Sequence, residues 1–248
     1  MGILFTIAYD GTDYCGWQIQ KNGVSVCSVL EAALHPVFSD GFSLLGASRT
    51  DAGVHALGQR AHLIPKSFCK VPLDKLPLVI NSCLPKDIRI VDATSVPDSF
   101  HPINDAKSKT YRYQIHNHKY ENPLLRRYAA FVPAHLDITA MHNAAGHFAG
   151  CHDFAAFCAS GSSVKSTVRT VFSVDVERCE NSVFITISGD GFLYNMVRII
   201  AGTLVDIGHR KLSAGDLPAV ILSKDRAAAG KTMPPQGLTL MEVFYDNC

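Results

Sequence analysis

The chain has 248 residues, of which 47% are hydrophobic and 18% charged, an ordinary globular composition that excludes disordered, collagen-like and coiled-coil classes. No apolar run approaches the ~20 residues of a spanning helix, and Met1-Gly2-Ile3-Leu4-Phe5 lacks a basic leader, so neither a membrane span nor a signal peptide is expected. Lys and Arg total 23 against 22 Asp and Glu, so a nucleic-acid surface, if present, has to be local. The eight cysteines (15, 27, 69, 83, 151, 158, 179 and 248) form no C-x-x-C and read as buried free thiols of a reducing compartment.

In chain order, residues 3–9 read as a strand and 26–38 as a helix with an apolar stripe. Residues 42–49 and 57–64 are extended runs around a short connection. Residues 73–83 read as a helix with Pro77 in its first turns, and 88–95 as a strand. The order is β-α-β-β-α-β, the ferredoxin-like pattern. The second part repeats it: strand 106–116, helix 138–148, a hairpin of 168–178 and 182–189, helices 193–207 and 213–223, strand 238–245. Two α+β subdomains are therefore expected, 1–98 and 99–248, with the boundary near Pro97–Pro102. Residues 117–136 and 224–237 read as irregular.

Three runs carry chemistry. In Gly46-Ala47-Ser48-Arg49-Thr50-Asp51-Ala52-Gly53-Val54-His55-Ala56, small residues surround one Arg and one Asp. On a strand Arg49 and Asp51 point the same way, and a guanidinium keeps a neighbouring carboxylate ionised, ready to act as nucleophile or base. The bland alternative is a tight turn. In 101–127, Lys107, Lys109, Arg112, Lys119, Arg126 and Arg127 outnumber Asp105 and Glu121, with Tyr111, Tyr113 and Tyr120 interleaved. Cations meet phosphate and rings stack on unpaired bases. Alternation places Lys107, Lys109, Tyr111 and Tyr113 on one face. Gly189-Asp190-Gly191-Phe192 leads into the 193–207 helix, an entry that can hold a phosphate, with Arg198 off the apolar stripe; local sequence favours a plain surface charge for Arg198. His142, His147, Cys151 and His152 diverge at about 100° per residue on a helix, so no metal is expected.

Five runs together resemble the tRNA pseudouridine synthase A family, over nearly the whole chain. They are Tyr9-Asp10-Gly11-Thr12-Asp13-Tyr14-Cys15-Gly16-Trp17-Gln18, Ser48 through Ala56, Phe100-His101 with Lys109-Thr110-Tyr111-Arg112-Tyr113, Gly191 through Arg198, and Pro235-Gln236-Gly237-Leu238. The resemblance implies one mixed, largely antiparallel eight-stranded sheet built from two ferredoxin-like halves. It implies isomerisation of uridine to pseudouridine in the tRNA anticodon stem-loop, by a cytoplasmic homodimer that needs no cofactor and no metal. Asp51 would be the catalytic residue, acting on the base or on the sugar. Arg49 would replace the displaced base, Tyr111 would pack on the uracil, and Arg198 would support the charge of Asp51. Lys107, Lys109, Arg112 and Gln18 would contact RNA. The other classes are an enzyme for a different RNA such as ribosomal RNA, a silent RNA-binding protein, and a glycosidic-bond hydrolase.

Two positions depart from the family pattern. Ser48 stands where Gly is usual, and Ile103 where Arg is usual. The second removes an ionic contact, which predicts a weaker salt dependence of RNA binding.

Overall fold

The computed structural model describes residues 1–21, 23–161 and 164–246. It divides into two compact units, Met1–Lys107 with Thr239–Cys248, and Ser108–Leu238. The sequence reading splits the chain at 98/99. The structure differs because the last strand returns to the first unit, a long-range pairing that no local pattern announces.

In the first unit, β1 (Gly2–Tyr9) runs antiparallel between β4 (Ile88–Val96) and β3 (His55–Pro65). Its alternate residues Phe5, Ile7 and Tyr9 are buried, as expected of a central strand. The later part of β3 pairs antiparallel with β2 (Phe42–Gly46), and its first residues pair in parallel with β10 (Leu238–Phe244). The β4-β1-β3-β2 order is the ferredoxin-like arrangement. Helix α1 (Val26–Leu34) starts at Ser25, whose side chain accepts from the Ser28 amide while Ser28 reaches back. It buries Val26, Leu30, Ala33 and Leu34 and ends before Pro36, which has no N–H to continue the ladder. Helix α2 (Leu76–Asn81) is shorter than expected, preceded by a 3-10 turn at Leu73–Lys75. Pro77 sits in its first turn, where a missing N–H is harmless.

In the second unit, β9 (Ser182–Gly189) lies antiparallel between β5 (Ser108–His116) and β8 (Val168–Cys179). Tyr111, Tyr113 and Ile115 of β5 and Val183, Ile185 and Ile187 of β9 make its buried face. The helices are α3 (Ile138–Ala145), capped by Asp137, α4 (Met196–Gly208) and α5 (Leu217–Ser223). Helix α4 begins three residues later than the pattern predicts, because Asn195 takes a left-handed φ of 60° and the ladder starts only after it.

Two strands are additional to the eight expected. They are β6 (Ala130–Phe131), parallel to β5, and β7 (Gly150–Asp153), antiparallel to β8. At two and four residues they are too short to show a period. The class is α+β as expected. The cysteine expectation is corrected: Cys27 is buried, but Cys83, Cys151 and Cys179 are exposed, at an element end or on an edge strand. Cys248 lies outside the described residues.

Candidate active site

In the first unit the Arg49-Thr50-Asp51 segment is a loop. β2 ends at Gly46 and β3 begins at His55, so 47–54 has no strand geometry. The alternation that set Arg49 and Asp51 on one side of a strand therefore does not apply. What fixes the loop is a clamp. The Gln59 side chain grips Ser48 from both sides: its Nε2 donates to the Ser48 carbonyl at 2.7 Å, and its Oε1 accepts the Ser48 amide at 3.2 Å. Gln59 is fully buried, so this amide is satisfied by the loop it holds. The next residue, Thr50, shares a 2.7 Å hydrogen bond with the Tyr9 hydroxyl, and its carbonyl accepts the Trp17 amide at 3.0 Å. The Asp51 carbonyl accepts the Val54 amide at 3.1 Å, closing a turn in which Gly53 has φ 77°.

The 9–17 run lies directly against this loop. A Cβ on Gly11 would stand 2.0 Å from the Val54 carbonyl oxygen, and one on Gly16 (φ 103°) 2.5 Å from that of Thr50. Only glycine allows backbone to press on backbone this way. Gly11 also donates its amide to Nδ1 of the buried His55 at 3.1 Å. The result holds Asp51 half-buried and Arg49 exposed on a loop anchored at 48, 50 and 54. Ser48 keeps a negative φ, so the absent glycine costs the loop nothing. Ile103 is exposed, with its amide on His101 Nδ1, and carries no charge to an RNA.

Gln18, beside the buried Trp17, is exposed. Lys107 precedes β5, belongs to the first unit, and lies 3.4 Å from Asp246. The expected face of Lys107, Lys109, Tyr111 and Tyr113 therefore starts at Lys109.

In the second unit, Tyr111 is buried with its ring edge-on to Phe192 at 5.2 Å. Tyr113 donates to the Pro234 carbonyl at 2.7 Å, and burial pushes its phenol up. Burial and the nearby Arg169 bring the Lys109 amine down to about 8. Arg112 points to the opposite face of the strand. It is exposed, 5.6 Å over the Phe184 ring, and donates Nε to Thr186 at 3.3 Å. The strand thus separates Arg112 from Lys109 and Tyr111. Arg198, half-buried on the first turn of α4, donates Nε to the Met233 carbonyl (2.7 Å) and Nη1 to Asn195 Oδ1 (2.6 Å). It ties the helix start to the 233 segment and is not the plain surface charge that local sequence favours.

The histidines weighed as ligands are engaged separately, His142 facing Asp175 at 3.7 Å and His152 the Ala149 carbonyl at 3.0 Å. Sequence reasoning missed Gln59, Tyr9 and Trp17 as supports of the loop. A buried polar residue inside a strand is a usable signal for Gln59, but only once the strand is known.

A family profile described as tRNA pseudouridine synthase matches residues 6–104 and 144–246. The tRNA pseudouridine synthase A of Geotalea uraniireducens (strain Rf4) is 49% identical over 243 residues, 98% of this chain and 99% of that protein. That of Thermoanaerobacter sp. (strain X514) is 47% identical over 243 residues, with the same coverage. That of Ruminiclostridium cellulolyticum is 46% identical over 244 residues, again 98% and 99%. The clamped Arg-Thr-Asp loop and Arg198 both fall within the matched segments, and the chain belongs to the tRNA pseudouridine synthase family, isomerases that convert uridine to pseudouridine in tRNA.

Proposed function

We propose that this enzyme isomerises uridines in the anticodon stem-loop of tRNA with Asp51 as its catalytic carboxylate. The observation that carries the proposal is the clamp on residues 48, 50 and 54, which holds a half-buried carboxylate on an otherwise irregular loop. Regular structure is not needed for catalysis, but fixed geometry is.

The target base has to leave its stack before a side chain reaches it, at a cost of a few kcal/mol. Arg49, exposed on the same loop, takes the vacated place and hydrogen-bonds the groups left behind. Asp51 acts in the step that breaks the bond between uracil nitrogen and sugar. The base turns, carbon 5 bonds to the sugar carbon, the carbon 5 proton leaves to solvent, and the freed ring nitrogen takes up a proton, so the product is an isomer of the substrate. Tyr111 packs on the uracil, and Arg198 supports the Asp51 charge. Lys107, Lys109, Arg112 and Gln18 contact the RNA, Arg112 from the opposite face of β5 to Lys109. The family resemblance supports a cytoplasmic homodimer that binds tRNA across both subunits.

The test is tritium release from tRNA labelled at uracil carbon 5. Release by the wild type and none by Asp51→Asn is expected. Wild-type release retained by Asp51→Asn overturns the Asp51 role. Tight tRNA binding without release overturns the reaction.

A further inference from the structure

Lys119 and Tyr120, in the basic and aromatic 101–127 run, have no part in the mechanism above. They follow β5 in a loop that is firmly anchored. Asn117 is buried: its Nδ2 donates to the Val132 and Ala134 carbonyls at 2.8 and 2.7 Å, and its Oδ1 accepts from Arg178 Nη2 at 2.7 Å. His116 Nε2 donates to the Tyr120 carbonyl at 3.1 Å, and the Tyr120 amide donates to His118 Nδ1 at 3.2 Å. Bonds to its backbone thus fix the position of Tyr120 without engaging its ring.

The rings around it form a ladder. Phe131 stacks on the buried His116 at 6.0 Å, His116 lies 5.8 Å from His118, and His118 6.2 Å from Tyr120. These are the separations of interacting ring pairs. The ladder ends at Tyr120, which is 66% exposed. A ring already held in place loses little freedom when something stacks on it. Lys119 sets its Nζ over the Tyr120 ring, 5.3 Å from the centroid, an attraction that steadies both side chains. Ring and ammonium are therefore offered together, as an unpaired base and its phosphate require. Lys119, Arg126 and Arg127 against Glu121 leave residues 117–128 with a local excess of two positive charges. A twofold contact between copies of this loop would set like charges against each other, whereas RNA complements them.

We propose that Tyr120 is a stacking platform for an unpaired base of the tRNA, with Lys119 on the adjoining phosphate. The proposal rests on the reading that tRNA is the substrate. Both are binding residues, with no chemical step of their own.

The test titrates wild type, Tyr120→Ala, Tyr120→Phe and Lys119→Gln with tRNA at several KCl concentrations. The platform predicts that Tyr120→Ala binds roughly five- to a hundredfold more weakly. Its slope of log K against log [KCl] stays at the wild-type value, because a stacked base releases no counterions. Tyr120→Phe, which keeps the ring, binds as wild type does. In Lys119→Gln the slope falls in magnitude by about 0.7, one single-strand phosphate contact. KM rises in Tyr120→Ala while kcat stays within about twofold. A fully paired RNA duplex binds wild type and Tyr120→Ala alike. Wild-type tRNA affinity in Tyr120→Ala overturns the platform, and an unchanged slope in Lys119→Gln overturns the phosphate contact. Tyr120→Trp gives an independent arm. Trp17 is buried, so iodide quenches chiefly the indole at position 120, and tRNA is expected to protect it. Quenching that saturating tRNA leaves unchanged overturns the platform even where Tyr120→Ala fails to fold. Protection by raised enzyme concentration alone overturns it in favour of a second copy of the chain. The expected tRNA effects in an enzyme that releases no tritium keep the platform and overturn the proposed reaction instead.

Discussion

The two units use the same hairpin position in opposite ways. In the first, β2 and β3 are joined by residues 47–54, which carry Arg49 and Asp51. In the second, β8 and β9 are joined by Glu180 and Asn181 alone, with Glu180 at a left-handed φ of 52°. The short turn does no more than reverse the chain. The long one keeps a ladder bond from the Ala47 amide to the Arg60 carbonyl at 2.7 Å and the Val54–Asp51 turn bond, and takes the rest of its order from the Gln59 side chain of β3 and from Tyr9, Gly16 and Trp17. The repeated element order therefore supplies a scaffold twice but a reactive loop once. The second unit carries its basic and aromatic residues elsewhere, on the Lys109–Tyr111 face of β5 and at the start of α4.

The comparison breaks most sharply at Asp51. Asp51→Asn is expected to fold and bind tRNA while losing more than about a thousandfold in turnover, the scale of a lost nucleophile or base. Residual activity above that level, in the tritium assay, removes the special status of the long loop. Gln59→Leu tests whether order from outside matters. It strips the Ser48 amide and carbonyl of their partner, with an expected cost of about 1 to 3 kcal/mol in stability. A roughly tenfold fall in kcat with little change in KM is expected, since 1.4 kcal/mol of misplacement suffices. Urea unfolding and steady-state kinetics check both, and unchanged kcat means that the loop orders itself.

A third prediction sharpens the role of the β5 face. The Lys109 amine titrates near 8 in the folded chain against its ordinary 10.5. Below about 8 it is charged in both states, and the full cost of burying the charge is felt. Between 8 and 10.5 the unfolded chain holds more protons, so stability rises with pH. Lys109→Met is therefore expected to be more stable than wild type at pH 7, with a gap that closes towards pH 10.5. Urea midpoints across that range decide it, and a constant gap means that the amine is not desolvated. The smallest effect belongs to the short hairpin. Glu180→Gly relieves a left-handed φ and loosens the unfolded chain, so the two terms nearly cancel, within about 1 kcal/mol. Isomerisation is expected unchanged. A loss of activity contradicts the view that this turn is inert.

Much of the scaffold was legible because long strands and helices carry their period in the side chains. The 3–9, 182–189 and 238–245 runs are found within a residue or two. Elements defined by a single backbone angle were not. Asn195 delays α4, and β6 and β7 are too short to show alternation. Of the site, the Arg-Thr-Asp run and the Lys109–Tyr113 strand were visible as residue types. Arg198 was misread locally, because the Met233 carbonyl that holds it is thirty-five residues away.

Sequence alone determined the family, the class of fold and the chemical inventory: a carboxylate and a guanidinium among small residues, and a basic, aromatic strand. These follow from side-chain identity and short-range spacing, which the chain carries whether folded or not. Tertiary structure decided which residues hold that inventory in place. The Gln59 clamp, the pressure of Gly11 and Gly16 on the loop, the burial of Lys109 and the return of β10 to the first unit all join distant positions. Each depends on backbone groups and desolvation, quantities that exist only once the chain has closed on itself.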